Sequence, residues 1–201
     1  MSRGLFITFE GTEGSGKTTQ VELLGEKLSY RQPVVVREPG GTELGERMRE
    51  LLLTSGMDLD GEAEMYLFMA ARRQLLQEVI TPALGLGRIV IADRYHDSTL
   101  AYQGGGRGVP VSWPKTFPRP DMTFLLALPV QSGRERQLRA GKSPDRVERE
   151  STDFHARVAA EYDRIATSEP ERFTRLDASE TREAVHHKVM SRVEPAVEAL
   201  S

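Results

Sequence analysis

The 201-residue sequence predicts an α/β fold: a five-stranded parallel sheet with helices on both faces. Three observations carry this expectation. Short apolar runs alternate with longer stretches of helical periodicity. Those runs are near-continuous in Val, Ile, Leu and Phe, as in strands buried on both faces. A glycine-rich loop, GTEGSGKT, fits G-x-x-x-x-G-K-[ST] and stands between the first apolar run and the first helical stripe.

Leu5-Phe6-Ile7-Thr8-Phe9 reads as the first strand, ending at Gly11. A helix follows from Thr18 to about Ser29, with Val21, Leu24 and Leu28 on one face. Residues 33 to 37 (PVVVR) form the second strand and REPGG a turn. Thr42 then caps a helix whose apolar positions are Leu44, Met48, Leu51 and Leu52. A long helix runs from about Glu62 to Leu84, and the third strand spans residues 88 to 92, closed by Asp93-Arg94-Tyr95. Residues 103 to 120 are dense in Gly and Pro and read mainly as loop. Met122 to Leu128 and Arg172 to Leu176 supply the last two strands. Between them lie basic helical segments at about 131–140 and 146–168, and a terminal helix covers Thr181 to Leu200. In such a sheet ligands collect at the carboxyl ends of the strands. The phosphate loop, the REPGG turn and the Asp93 cluster each follow one.

Composition narrows the function. The 28% charged and 38% hydrophobic residues are an ordinary soluble balance, and no apolar run approaches the roughly 20 residues of a membrane span. A net charge of −3 offers no whole-molecule attraction to nucleic acid or anionic lipid. The chain has no cysteine, which excludes thiol catalysis and Cys-zinc sites. MSRGLFITFEG leads directly into a strand, so the expectation is a cytoplasmic protein without a signal peptide.

The loop Gly11, Thr12, Glu13, Gly14, Ser15, Gly16, Lys17, Thr18, with Thr19 beyond it, is a phosphate cradle. Its glycines let backbone N–H groups face an anion at a helix N-terminus. Lys17 bridges terminal phosphate oxygens, and Thr18 offers a hydroxyl to Mg²⁺. The loop alone does not separate switch, motor and kinase. Glu13 repels phosphate unless it meets a cation, a metal or a hydroxyl, and alone it reads as a solvated loop residue.

FEGTEGSGKTTQ, REPGGTELGERMRELLL, LFMAARRQ, DRYHDSTLAYQGGGRG, RPDMTFLL and DRVERESTDFHARV, in that order, resemble the thymidylate kinase family. The resemblance reaches from about residue 4 to 165. It implies a P-loop kinase fold with a small mobile lid at about 134–150 and one domain over 1–201. It also implies Mg²⁺ as cofactor, ATP and dTMP as substrates, and a homodimer. In the family an acidic residue at the position of Glu13 meets the sugar 3′-hydroxyl, Arg37 lies near the acceptor phosphate and Arg94 grips it. The resemblance further places the thymine on Phe68, hydrogen-bonds it with Arg72, and brings Thr99 to the base edge. Tyr102 lies beneath the sugar, excluding a ribose 2′-hydroxyl, and Gln103 adds a polar contact. Asp93 joins Thr18 at the metal, since Mg²⁺ prefers hard oxygen ligands. Taken alone, Phe68 reads as core, Arg72 as a solvated charge and His96 as a solvent-facing side chain without a role.

Phosphoryl transfer needs alignment and neutralisation of charge. The loop residues Thr12 to Ser15 supply no cation, whereas RERQLRAGKSPDRVER holds Arg134, Arg136, Arg139, Lys142, Arg146 and Arg149. It resembles the lid that carries the catalytic arginine in bacterial members. Arg139 and Arg146 are the choices, with Lys17 and Arg94 as the other catalytic groups. VPVSWPKTFP is shorter and richer in proline than the corresponding family stretch, and nothing in the sequence says what replaces it. The alternatives are a kinase for another nucleoside monophosphate or a deoxynucleoside, and a nucleotide switch. Against the switch, no NKxD-type guanine-reading motif is evident.

Overall fold

The computed structural model describes residues 4–54, 56–141 and 143–200. Five parallel strands, β1 (Phe6–Glu10), β2 (Val34–Arg37), β3 (Val90–Asp93), β4 (Met122–Ala127) and β5 (Phe173–Asp177), form one sheet in the order β2-β3-β1-β4-β5. β1 is central and every residue in it is buried. Its side chains alternate between faces, as the pleat requires. Ile7 and Phe9 pack with Val21 and Leu24 of α1 (Lys17–Lys27) and with Leu28 just after it on one side. Phe6 packs with Leu75, Leu76 and Ile80 on the other. Helices therefore cover both faces. Truncating Leu24, which is fully buried, would cost about 2–5 kcal/mol.

α2 (Glu43–Leu53) starts as expected, with the Thr42 hydroxyl accepting from Gly45 N–H. Its apolar stripe is not core: only Leu52 is fully buried, and Leu44 remains 41% exposed. The predicted long helix is α3 (Gly61–Leu75), a π-helical turn (Leu76–Ile80) and α4 (Thr81–Gly85) in succession. Pro82 brings no N–H, and its ring crowds the carbonyl four residues back. The helix widens directly before it.

Two expectations need correction. Residues 100–106, whose second half read as loop, continue α5 (His96–Thr99) as a π-helix. A Cβ on Gly105 would stand 2.5 Å from Glu161 Cβ, and one on Gly106 2.5 Å from a Phe154 ring carbon. These glycines let α7 (Thr152–Ser168) pack closely; they do not make a turn. α7 also starts later than expected, at the Ser151 cap, so Arg146 and Arg149 lie in a turn after α6 (Val130–Arg139). α8 (Arg182–Glu198) closes the chain against α1. Lys142 falls outside the described residues, as do residues 1–3, 55 and 201. No helix among the described residues is long and apolar enough to cross a membrane.

Candidate active site

β1 delivers the chain to Gly11, and Gly14 and Gly16 take φ of 69° and 93°, values that favour glycine. The loop so formed caps α1, and Thr12, Ser15 and Lys17 are buried in it. Lys17 Nζ donates to the Thr12 carbonyl at 2.8 Å and to Ser15 Oγ at 3.4 Å. Burial, followed by the Arg94 charge, pulls the Lys17 ammonium down to about 8, against Asp93, Glu13 and Glu10. Thr18 Oγ1 donates to Asp93 Oδ2 at 2.5 Å. β1 and β3 pair in register with Phe9 opposite Asp93, which sets this carboxylate beside the first turn of α1.

Arg94 is one of two non-glycine residues with positive φ (71°) among those described. This conformation turns its side chain back over the loop. Its Nη1 donates to Gly11 O at 3.0 Å and to Ser98 Oγ and Tyr162 Oη at 3.2 Å. Its Nη2 donates to Glu13 Oε1 and Tyr102 Oη, both at 3.2 Å. The Tyr102 hydroxyl donates to the same Glu13 oxygen. Burial would raise the Glu13 carboxyl, but His155, Arg94, Lys17 and Tyr102 outweigh it and hold it well below the ordinary range. His155 Nδ1 stands 3.3 Å from Glu13 Oε2, outside hydrogen-bond geometry. That oxygen is buried without a hydrogen-bond partner.

Behind Arg94 lies a group that sequence reasoning missed. Glu10, fully buried at the end of β1, accepts from Tyr95 N–H at 2.8 Å, Ser98 Oγ at 2.6 Å and Tyr162 Oη at 2.8 Å. Burial, with Asp97 adding to it, raises its carboxyl above the ordinary range; Arg94 and the two hydroxyls pull the other way. A carboxylate closing a strand of five buried residues was the available signal.

On the far wall, Arg72 is buried and bonded on all sides. Nε donates to Glu38 Oε2 at 2.6 Å, Nη1 to Thr99 Oγ1 at 2.7 Å and Nη2 to the Tyr95 carbonyl at 3.0 Å. Burial pushes Glu38 up to about 7 although Arg72 pulls it down, and its Oε1 has no hydrogen-bond partner. Phe68, one helical turn before Arg72, is partly exposed and lines the cleft. Gln103 also lines it while donating to Glu64 at 2.8 Å. Arg37, half exposed, pairs with Glu46 at 2.9 Å, and Arg49 holds the Pro39 carbonyl at 2.9 Å. Arg49 lines the cleft as well, a cation that the sequence reading did not single out.

The arginines after β4 separate. Arg136 lies in the cleft and donates to Ala178 O at 2.8 Å and Gly14 O at 3.5 Å. Arg146 turns away, donating to Glu64 Oε2 at 2.5 Å and Leu52 O at 2.8 Å. Arg139 is 78% exposed beside Glu135, and Arg134 ties down Thr152 and Glu150. The arrangement brings Lys17, Arg94 and Arg136 to the phosphate loop. Arg139 and Arg146 are not among the cleft residues.

One cleft of about 890 Å³ thus joins a phosphate cradle to a second pocket lined by Arg94, Tyr102, Arg72 and Phe68. Its volume stands near the top of the range for small-molecule sites. A P-loop at the carboxyl edge of a parallel sheet, facing a second pocket lined by arginines, defines an ATP-dependent phosphotransferase of the nucleoside monophosphate kinase class. The thymidylate kinase family model matches residues 9–189. The thymidylate kinase of Pelotomaculum thermopropionicum is 45% identical over 210 aligned positions, covering 98% of this chain and 96% of that one. That of Halothermothrix orenii is 44% identical, covering 95% and 97%. The crystal structure of thymidylate kinase from Ehrlichia chaffeensis superposes with a TM-score of 0.74 at 33% identity, covering 95% and 99%. The chain belongs to the thymidylate kinase family.

Proposed function

We propose that this cleft transfers the γ-phosphoryl group of ATP to dTMP, giving dTDP and ADP on the route to dTTP. The observation that carries the reading is the Arg94–Glu13–Tyr102 contact at the phosphate loop. A guanidinium there offers its planar fork to an acceptor phosphate. The unpartnered Glu13 Oε2 is an acceptor for a sugar hydroxyl. The Tyr102 ring, 5.0 Å from the Arg94 guanidinium, occupies the space beneath the sugar and leaves no room for a 2′-hydroxyl.

Phe68 and Arg72 hold the base, with Gln103 beside them. Thr99 Oγ1 accepts from Arg72, so its own proton is free for the base edge. Arg37 and Arg49 lie on the acceptor-phosphate side. Gly11 through Thr19 hold the ATP phosphates, with Lys17 leaving the Thr12 carbonyl to bridge them. An acceptor phosphate is nucleophilic at neutral pH, so alignment and charge neutralisation do the work. Lys17, Arg94 and Arg136 supply positive charge, and Arg139 and Arg146 reach the site only if the segment 134–150 moves as a lid.

The oxygen pair of Thr18 and Asp93 fits Mg²⁺, which keeps several waters and takes few protein ligands. When bound, the ion neutralises charge on the β- and γ-phosphates. The protein acts in the cytoplasm as a homodimer on small-molecule substrates, with neither nucleic acid nor membrane as partner. A coupled assay of ADP release over a panel of nucleoside monophosphates tests the reading. dTMP is expected to be turned over fastest, with ATP the preferred donor. A panel led by another monophosphate would overturn it.

A further inference from the structure

The proline-rich segment 109–118 and His96, left without roles by the sequence, account for one another. His96 is fully buried. Its Nδ1 lies 3.3 Å from Arg72 Nη1, and its Nε2 lies 3.1 Å from the Ser112 carbonyl. A guanidinium only donates, and a carbonyl only accepts. Nδ1 therefore carries the lone pair and Nε2 the proton: one tautomer satisfies both contacts. The ring is clamped by aromatic edges, with Trp113 at 4.7 Å and Phe117 at 5.7 Å between centroids. Val109 N–H donates to the Gln103 carbonyl at 2.9 Å and Tyr95 Oη to Pro118 O at 3.1 Å, so the strap is fastened at both ends, while Trp113 Nε1 donates to Phe117 O at 3.0 Å within it. Arg119 lies 4.1 Å above the outer side of Trp113.

The geometry points to His96 as a positioning residue for base recognition, through which the strap 109–118 holds Arg72 in its orientation toward the acceptor pocket. Glu38, Thr99, Tyr95 and His96 together engage four of the five guanidinium N–H groups. Tyr95 and His96 both join Arg72 to the strap, Tyr95 through its backbone carbonyl and its hydroxyl, and His96 through a single ring that lies between Nη1 and the Ser112 carbonyl. Without His96, Nη1 keeps Thr99 Oγ1 and, for its other N–H, only the weakly accepting Met69 sulfur at 3.8 Å, and the guanidinium can rotate to seek a better acceptor. Burial and the Arg72 charge, with Arg119 adding to them, push His96 down to about 3, consistent with a ring that accepts at Nδ1. The inference rests on Arg72 reading the base.

Kinetics of His96→Phe, His96→Asn and Arg72→Ala with dTMP and dCMP test it. His96→Phe keeps the aromatic clamp and removes both hydrogen bonds; His96→Asn restores an acceptor near the Nδ1 position. His96→Phe is expected to raise KM for dTMP about tenfold and to narrow the dTMP-over-dCMP preference, as loss of a hydrogen bond to a charged group implies. KM for ATP should stay within about twofold, and His96→Asn should recover part of the loss. Equal increases in both KM values, or an unchanged dTMP KM in His96→Phe, would overturn the positioning role. An Arg72→Ala variant that kept the base preference would instead overturn the reading of Arg72 itself. If His96→Phe does not fold, ¹⁵N-imidazole NMR of the unaltered protein decides. A proton on Nε2 alone from pH 5 to 8 is expected; one on Nδ1, or a second proton gained in that range, refutes the assignment.

Discussion

Gly14 and Gly133 meet backbone to backbone: a Cβ on Gly14 would stand 2.3 Å from the Gly133 carbonyl oxygen. The crest of the phosphate loop is thus pressed against the first turn of α6, although 119 positions separate the two residues. In return, a Cβ on Gly133 would lie 2.2 Å from the Glu13 carbonyl. Contacts that close with backbone on both sides cannot relax by a rotamer change.

Gly133→Ala should therefore wedge α6 off the loop. The expected cost is about 1–3 kcal/mol of stability, the range for overpacking. ATP affinity should fall with it. Urea denaturation and nucleotide titration check both, and a variant as stable and as tight as the parent would contradict the packing.

Arg94→Ala should lower kcat/KM for dTMP by about 10²–10³-fold, the scale for removing one preorganised charge donor. Initial rates at saturating ATP with dTMP varied are the measurement. Unchanged dTMP handling would rule out the grip assigned to this guanidinium.

Tyr102→Ala opens the floor of the sugar pocket and should let UMP compete. The ratio of kcat/KM for dUMP over UMP is expected to fall about 10–100-fold, the discrimination available from steric fit. A ratio that does not move would remove the steric account of deoxyribose preference.

Lys17 links pH to nucleotide binding. Its folded value of about 8 lies below the roughly 10.4 of an unfolded lysine. Between these values the unfolded chain holds a proton that the native state has released, so this group makes stability rise with pH there. Below pH 8 both states are protonated and the slope vanishes. Phosphates restore the charged form, so ATP binding at pH 8.5–9 should take up protons, and calorimetry in buffers of different ionisation enthalpy reads that uptake. Lys17→Met should abolish it, and a buffer-independent signal in the parent would be the contrary result.

Arg146 and Arg139 should part company in stability. Arg146 pairs with Glu64, whose side chain is fully buried, and Arg107 also binds that carboxylate. Arg146→Ala is expected to cost about 1–3 kcal/mol, less than a sole partner would, because Arg107 remains. Arg139→Ala, at an exposed pair, should stay within about 0.5 kcal/mol. Thermal unfolding of the two variants compares them directly.

The sequence by itself determined the strands, the phosphate loop and the family. Apolar runs and glycine spacing are local patterns, and REPGGT with DRYHDSTLAYQGGGRG is specific enough to mark the family. The sequence did not disclose which polar residues are buried. His96 reads as solvent-facing and Glu10 and His155 go unremarked, yet each is enclosed by partners from remote elements: Ser112, Tyr162 and Glu13 respectively. Likewise Gly105 and Gly106 read as loop and serve helix packing, because only the approach of α7 gives a missing Cβ its purpose. Which of six basic residues faces the loop was equally invisible. A chain pattern fixes the face of an element, but a cation's destination depends on the carboxylates and carbonyls that the fold brings to it, as Glu64 takes Arg146 and the Ala178 carbonyl takes Arg136.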